Sequence, residues 1–133
     1  MRLFPTRHPR RLTAEHPLLV EEFLDLAAAG RIEPLGQLID VVADLTRYGR
    51  SSRYLTKLTG LPLFELKPRA RGGQKGGCRI YLFFAVHVNE EVAGLVNCEV
   101  KDGATASTQK LAIALEVYLA AKQGVDVYQR AAL

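Results

Sequence analysis

The chain has no tryptophan, one methionine and only two cysteines in 133 residues. Two cysteines do not make the disulfide framework of a small secreted domain, and Cys78 and Cys98 are expected as free buried thiols. No apolar run approaches the ~20 residues that a membrane-spanning helix needs. No apolar stretch follows the basic start as it would in a signal peptide, so a cytoplasmic protein is expected. The three histidines, His8, His16 and His87, stand far apart with no metal-ligand spacing, and no Ser-His-Asp or Cys-His arrangement is legible. What is present is ordinary globular composition, 48% hydrophobic and 24% charged. That excludes a disordered chain, a coiled coil and a collagen, and the length fits one domain.

Acidic residues are missing from one stretch in particular. Between Arg47 and Arg79 the bases are Arg47, Arg50, Arg53, Lys57, Lys67, Arg69, Arg71, Lys75 and Arg79, against the single acid Glu65. The whole chain is only +4, so the rest of it is net negative. Clustering of this kind is either a solvated basic face or the footprint of a phosphate-binding surface. Arg2, Arg7, Arg10 and Arg11 form a smaller basic cluster at the start.

The period of the apolar residues gives the elements. Residues 1–16 read as a basic N-terminal arm, with a short strand at Arg2–Phe4. Leu19, Phe23, Leu26 and Ala27 recur at helical spacing, predicting a helix over Pro17–Ala29 that stops at Gly30. Pro34 opens a second helix with Leu35, Leu38, Ile39, Val42 and Leu45 on its apolar stripe, ended by Gly49. So short a link predicts an antiparallel helical hairpin. Strands follow at Leu61–Lys67, Cys78–Val88 and Val92–Lys101, with a turn at Asn89–Glu91. A last helix, capped by Thr105 or Ser107, runs to Gly124. Residues 17–124 therefore form the domain and 125–133 a loose tail. The fold class is α+β: a helical hairpin packed on a small antiparallel sheet, with a C-terminal helix.

Strand parity then sorts the side chains. Cys78, Ile80, Leu82, Phe84, Val86 and Val88 make one apolar face, which must be core. With a turn at Asn89–Glu91, Leu82 faces Cys98, Tyr81 faces Glu99 and Arg79 faces Lys101. Glu65, Lys67, Arg79, Tyr81, Glu99 and Lys101 then share the other face. It is either the wet side of a two-faced sheet or a cationic floor carrying an aromatic and two carboxylates. The loop from Arg71 to Gly77 lacks the Gly-Lys-Ser/Thr opening a helix, so it is not a nucleotide phosphate loop.

Lys57-Leu58, Leu63-Phe64-Glu65-Leu66-Lys67, the glycine-rich gap and Arg79-Ile80-Tyr81-Leu82-Phe83-Phe84 together resemble the core of the RelE/ParE toxin superfamily, in its HigB-like, phage-related branch. The resemblance covers about Leu18 to Lys122, in the order helix, helix, strand, strand, strand, helix. It implies a RelE-like fold and the toxin half of a type II toxin–antitoxin pair. It also implies a metal-independent, cofactor-free endoribonuclease that cuts mRNA on the ribosome, with mRNA and a cognate antitoxin protein as partners. Carried over by position, Arg79 would clamp the scissile phosphate, and Lys67 would bind phosphate or act as base. Lys101 would supply a second cation, Tyr81 would stack on a base or orient the nucleophile, and Glu65 would be a base or the partner of a cation. Arg53, Lys57, Arg69, Arg71 and Lys75 would bind RNA. The run Lys101-Asp102-Gly103-Ala104-Thr105 has lost most of the positive charge that follows the third strand in that branch. This keeps a non-catalytic relative open: a gyrase-binding ParE-like toxin, or an RNA- or antitoxin-binding protein.

Overall fold

A computed structural model describes residues 1–68, 77–101 and 107–128. Among these residues three helices and a five-stranded mixed sheet make an α+β fold. Chain order is β1 (Leu3–Pro5), α1 (Leu18–Ala28), α2 (Ile32–Tyr48), a 3-10 turn (Gly49–Ser51), β2 (Leu55–Lys57), β3 (Phe64–Leu66), β4 (Gly77–His87), β5 (Glu90–Lys101) and α3 (Thr108–Lys122). The strands lie in the order β1-β5-β4-β3-β2.

The helices fall where their apolar period placed them. Pro34 sits inside the first turn of α2, two residues after its start rather than at it, where its missing N–H breaks no helical bond. The buried stripe of α2 is Leu38, Val41 and Leu45, while Ile39 is exposed. Gly49 closes the helix at φ 56°, the left-handed region that glycine enters without strain. Ser107 caps α3, its hydroxyl accepting from Lys110 N–H.

The ends of the chain correct the expectation of an arm and a loose tail. β1 pairs in parallel with Ala93–Leu95 of β5, making the sheet mixed, and Leu3 and Phe4 are buried. Their burial removes apolar surface that a free arm would leave in water. Residues 125–128 pack back on this strand. Arg7 N–H donates to Val127 O at 2.7 Å, Thr6 bridges to Tyr128, and Val127 is fully buried. β2 was not foreseen; three residues long and half exposed, it carries too little apolar pattern to be read as a strand.

The β4–β5 hairpin turns on two residues, Val88 and Asn89, at φ 49° and 64°. This is the left-handed pair that matches strand twist, and it replaces the longer turn expected at Asn89–Glu91. A bulge between Tyr81 and Leu82 then shifts the register by one. Arg79 therefore faces Glu99, Tyr81 faces Asn97 and Leu82 faces Leu95, instead of Lys101, Glu99 and Cys98. Cys78 and Cys98 are free and buried, as expected, and in this register they are two residues out of step.

Both faces of the sheet are covered. The α1–α2 hairpin packs on Ile80, Leu82, Leu95 and Cys98. On the opposite face α3 packs on Tyr81, Phe83 and Val96 through Ala114, Val117 and Ala120. The face expected to be an open floor is thus a second core. A strand whose odd residues include Tyr81, Phe83 and Ala85 has apolar surface on both sides to bury.

Candidate functional site

The residues with chemistry gather under the start of α3, at the ends of β3, β4 and β5. The parity that makes Phe83 core also brings Glu65, Arg79 and Glu99 to one place. Glu65 lies opposite Tyr81, and Arg79 opposite Glu99. The Arg79 guanidinium lies 3.5 Å from Glu65 and 4.0 Å from Glu99. Arg79 is 1% exposed and Tyr81 wholly buried. Tyr81 O–H donates to the Glu99 carboxylate, and the same oxygen accepts the Ser107 N–H at 3.1 Å. Glu99 thus ties β4, β5 and the first turn of α3 together. Burial, and then the Glu99 carboxylate, push the Tyr81 phenol well above its ordinary value. It keeps its proton and acts as a donor, and it presents no open ring for stacking.

Among the sequence-predicted residues, the structure brings Glu65, Arg79 and Tyr81 together. Lys67 follows β3 on the strand register that sets it beside Arg79, its N–H donating to Tyr54 O at 3.0 Å. Lys101 ends β5 opposite Gly77. Arg53 and Lys57 are exposed on the sheet edge formed by β2, apart from the buried cluster. Arg69, Arg71 and Lys75 lie outside the described residues. His87, expected as a solvated strand end, packs its ring against Tyr128 at 4.2 Å and Phe4 at 5.4 Å. Glu99, placed by parity on the shared face but given no role, is the hub of the cluster. Its signal was an acid alternating with apolar residues on a strand otherwise fit for burial.

Behind the cluster a groove of about 410 Å³ runs between the end of α1 and β5. Glu22, Asp25, Arg31, Glu99 and Lys110 are among the residues that line it. Glu22 accepts from the Cys98 backbone N–H at 2.9 Å and from Lys110, stoppering the part of the β5 edge that β1 leaves open. Burial outweighs these bonds and raises the Glu22 carboxyl above its ordinary 4.5. The folded state then holds a proton that the unfolded state releases. This contribution to stability is full below the ordinary value and is lost as pH rises through the raised one. Urea unfolding of wild type and Glu22→Gln across that range should show the wild type losing stability relative to the variant as pH rises. A flat or rising difference would contradict the assignment.

Among the described residues no group of three or more His, Cys, Asp or Glu side chains is arranged to hold a metal ion. No helix among them is long and apolar enough to cross a membrane. The chain matches no known protein family, no curated protein and no solved structure.

Proposed function

We propose that this chain is a toxin of the RelE/ParE kind, in the HigB-like branch, with a RelE-like fold and the activity of a metal-independent mRNA endoribonuclease. The observation that carries the reading is a spatial one. The acid-poor run leads along an exposed basic edge, Arg47, Arg53 and Lys57, toward Lys67 and the Glu65–Arg79–Glu99 cluster. The observed order of elements contains the one that the resemblance implies.

In this reaction the RNA 2′-hydroxyl oxygen attacks the adjacent phosphorus and the bond to O5′ breaks. The products are a 2′,3′-cyclic phosphate and a 5′-hydroxyl. One group takes the 2′-hydroxyl proton, another protonates O5′, and cations stabilise the charge building on the phosphate oxygens. Glu65, with 16% of its side chain exposed against 8% for Glu99, is the more accessible base. Lys67 and Lys101 are the cations assigned to phosphate. Arg79 becomes a positioning residue that fixes the two carboxylates, and Tyr81 orients Glu99. A cognate antitoxin protein and ribosome-bound mRNA are the partners of this reading.

The test is 5′-end mapping of a reporter mRNA in a translation extract. Cuts within translated codons are expected with wild type and lost with Lys67→Ala, which should retain the wild-type melting temperature. Glu65→Gln should also stop cutting, but it takes one carboxylate from the buried Arg79 and is assayed below its own lowered melting temperature. An intact message, in an extract that a known interferase cuts, overturns the nuclease. The burial of Arg79 and Tyr81 favours a second reading, a non-cleaving relative that binds gyrase, RNA or antitoxin, and an intact message points there.

A further inference from the structure

Two of the five tyrosines lie outside the packing around α3 and the chain ends. Tyr81 is buried, Tyr118 packs on Phe83 at 5.6 Å, and Tyr128 packs on Phe4 and His87. Tyr48, at the end of α2, is 52% exposed, and Tyr54, ahead of β2, is half-buried with part of its side chain packed against the core. Both fall in the run between Asp44 and Glu65, which contains no acid. Each carries the guanidinium of its chain neighbour: Arg47 lies 5.3 Å from the Tyr48 ring centre and Arg53 5.0 Å from that of Tyr54. Arg53 also donates to the Tyr54 hydroxyl at 3.0 Å. These contacts hold ring and cation in one orientation.

The remaining cations of the run divide cleanly. Arg50 is committed to Glu91, at 2.7 Å, and to the Phe84 ring, at 4.1 Å. Lys57 is exposed and spends one proton on Leu61 O at 2.8 Å, leaving two for an outside acceptor. Arg47, Arg53 and Lys57 are therefore exposed beside the open Tyr48 ring and the half-buried Tyr54 ring. At full extension the six residue steps from Tyr48 to Tyr54 span at most about 20 Å, so one short strand of nucleic acid can touch both.

We infer that the edge formed by the end of α2, the 3-10 turn and β2 is a stacking platform for unpaired RNA. Tyr48 and Tyr54 take bases, and Arg47, Arg53 and Lys57 take phosphates. The strand must be unpaired, because a duplex hides the base faces that stacking needs. The choice of RNA over DNA rests on the proposed function; the platform itself does not, since it lies apart from the buried cluster and makes no use of the cutting chemistry.

The test uses the full chain and a labelled 2′-O-methyl oligonucleotide, which lacks the attacking hydroxyl and is not cut. Binding is read by anisotropy. It is also read by quenching of intrinsic emission, which comes from tyrosine because the chain has no tryptophan. Tyr48→Ala is expected to weaken binding about tenfold without changing its salt dependence. Tyr48→Phe keeps the ring and should bind like wild type. Arg53→Ala should weaken binding and reduce the slope of log K against log salt by about 0.7. Tyr48 is exposed, so its variants should melt with the wild type. No binding by wild type, wild-type affinity in Tyr48→Ala, or equal affinity for duplex RNA overturns the platform. Equal affinity for DNA of the same sequence overturns its assignment to RNA. Cleavage that survives with a silent Tyr48→Ala refutes the platform alone, and stacking without cleavage refutes the nuclease alone.

Discussion

Arg79→Met is expected to lower the free energy of unfolding by about 3–5 kcal/mol, the usual cost of removing one member of a buried ion pair. The guanidinium lies within 4.0 Å of two carboxylates, Glu65 and Glu99, whose side chains are 16% and 8% exposed. Methionine fills similar length but supplies no charge, so both carboxylates lose their cation while water stays largely excluded. The cost belongs to the stranded charges rather than to lost packing, which gives a second readout. Adding Glu99→Gln to Arg79→Met removes one of those charges and should recover part of the loss. Urea unfolding of the two variants against wild type measures both effects. A loss under about 1 kcal/mol, the value of an exposed pair, would show that the cluster is not electrostatically closed.

This prediction bears on how the proposed nuclease is probed. An Arg79 variant that loses activity can do so by unfolding, so its silence says nothing about phosphate. Lys67 sits at the rim of the cluster and is the informative position, whereas Glu65 shares the buried pair with Arg79. Tyr81→Phe is subtler. It takes one donor from Glu99 while the Ser107 N–H still holds that carboxylate. A change in cleavage with little change in melting would mark Tyr81 as positioning the reacting groups.

The helices and the β4–β5 hairpin were legible because their apolar residues repeat over many positions. Leu35, Leu38, Val42 and Leu45 on α2, and Cys78 to Phe84 on β4, each state a period that local physics enforces, although the buried stripe of α2 is turned slightly, with Val41 inside and Ile39 outside. The register was not legible, because it depends on the turn position and on a single inserted residue. The tighter turn at Val88 and Asn89 moves the register by three and the bulge beside Tyr81 moves it back by one, so Glu99 faces Arg79 instead of Tyr81. The turn was misplaced for a related reason: a β-branched valine at φ 49° is an unfavourable choice there, and residue preference pointed one step further on. The short strand at the start was legible, but its parallel pairing with β5 comes from the tertiary structure; β2, three residues long, is too short to show alternation. The candidate site was half legible. Parity collected Glu65, Arg79, Tyr81 and Glu99 on one face, but the placement of α3 over that face turned an expected open floor into a buried cluster.

The helix over that face rests on one close approach, and Gly94→Ala is expected to disturb it by about 1–3 kcal/mol or more. A Cβ at Gly94 would lie 2.5 Å from Cζ of Phe83 and 2.8 and 2.9 Å from its two Cε atoms. Real carbon contacts of this kind stay near 3.5–4.0 Å, so something must move. The ring has nowhere to go, being fully buried and packed edge-on against Tyr118 at 5.6 Å. Strand and ring must separate, and α3 is displaced with them. Phe83→Leu shortens the side chain and makes room at the cost of its own lost packing. The double variant should therefore be more stable than the sum of the two single losses requires, with a coupling of about 0.5–3 kcal/mol. Thermal or urea unfolding of the two singles and the double closes the cycle. Additive losses would mean that the sheet yields at Gly94 independently of the ring, and that α3 is held to this face by Tyr81, Glu99 and Ser107 rather than by Phe83.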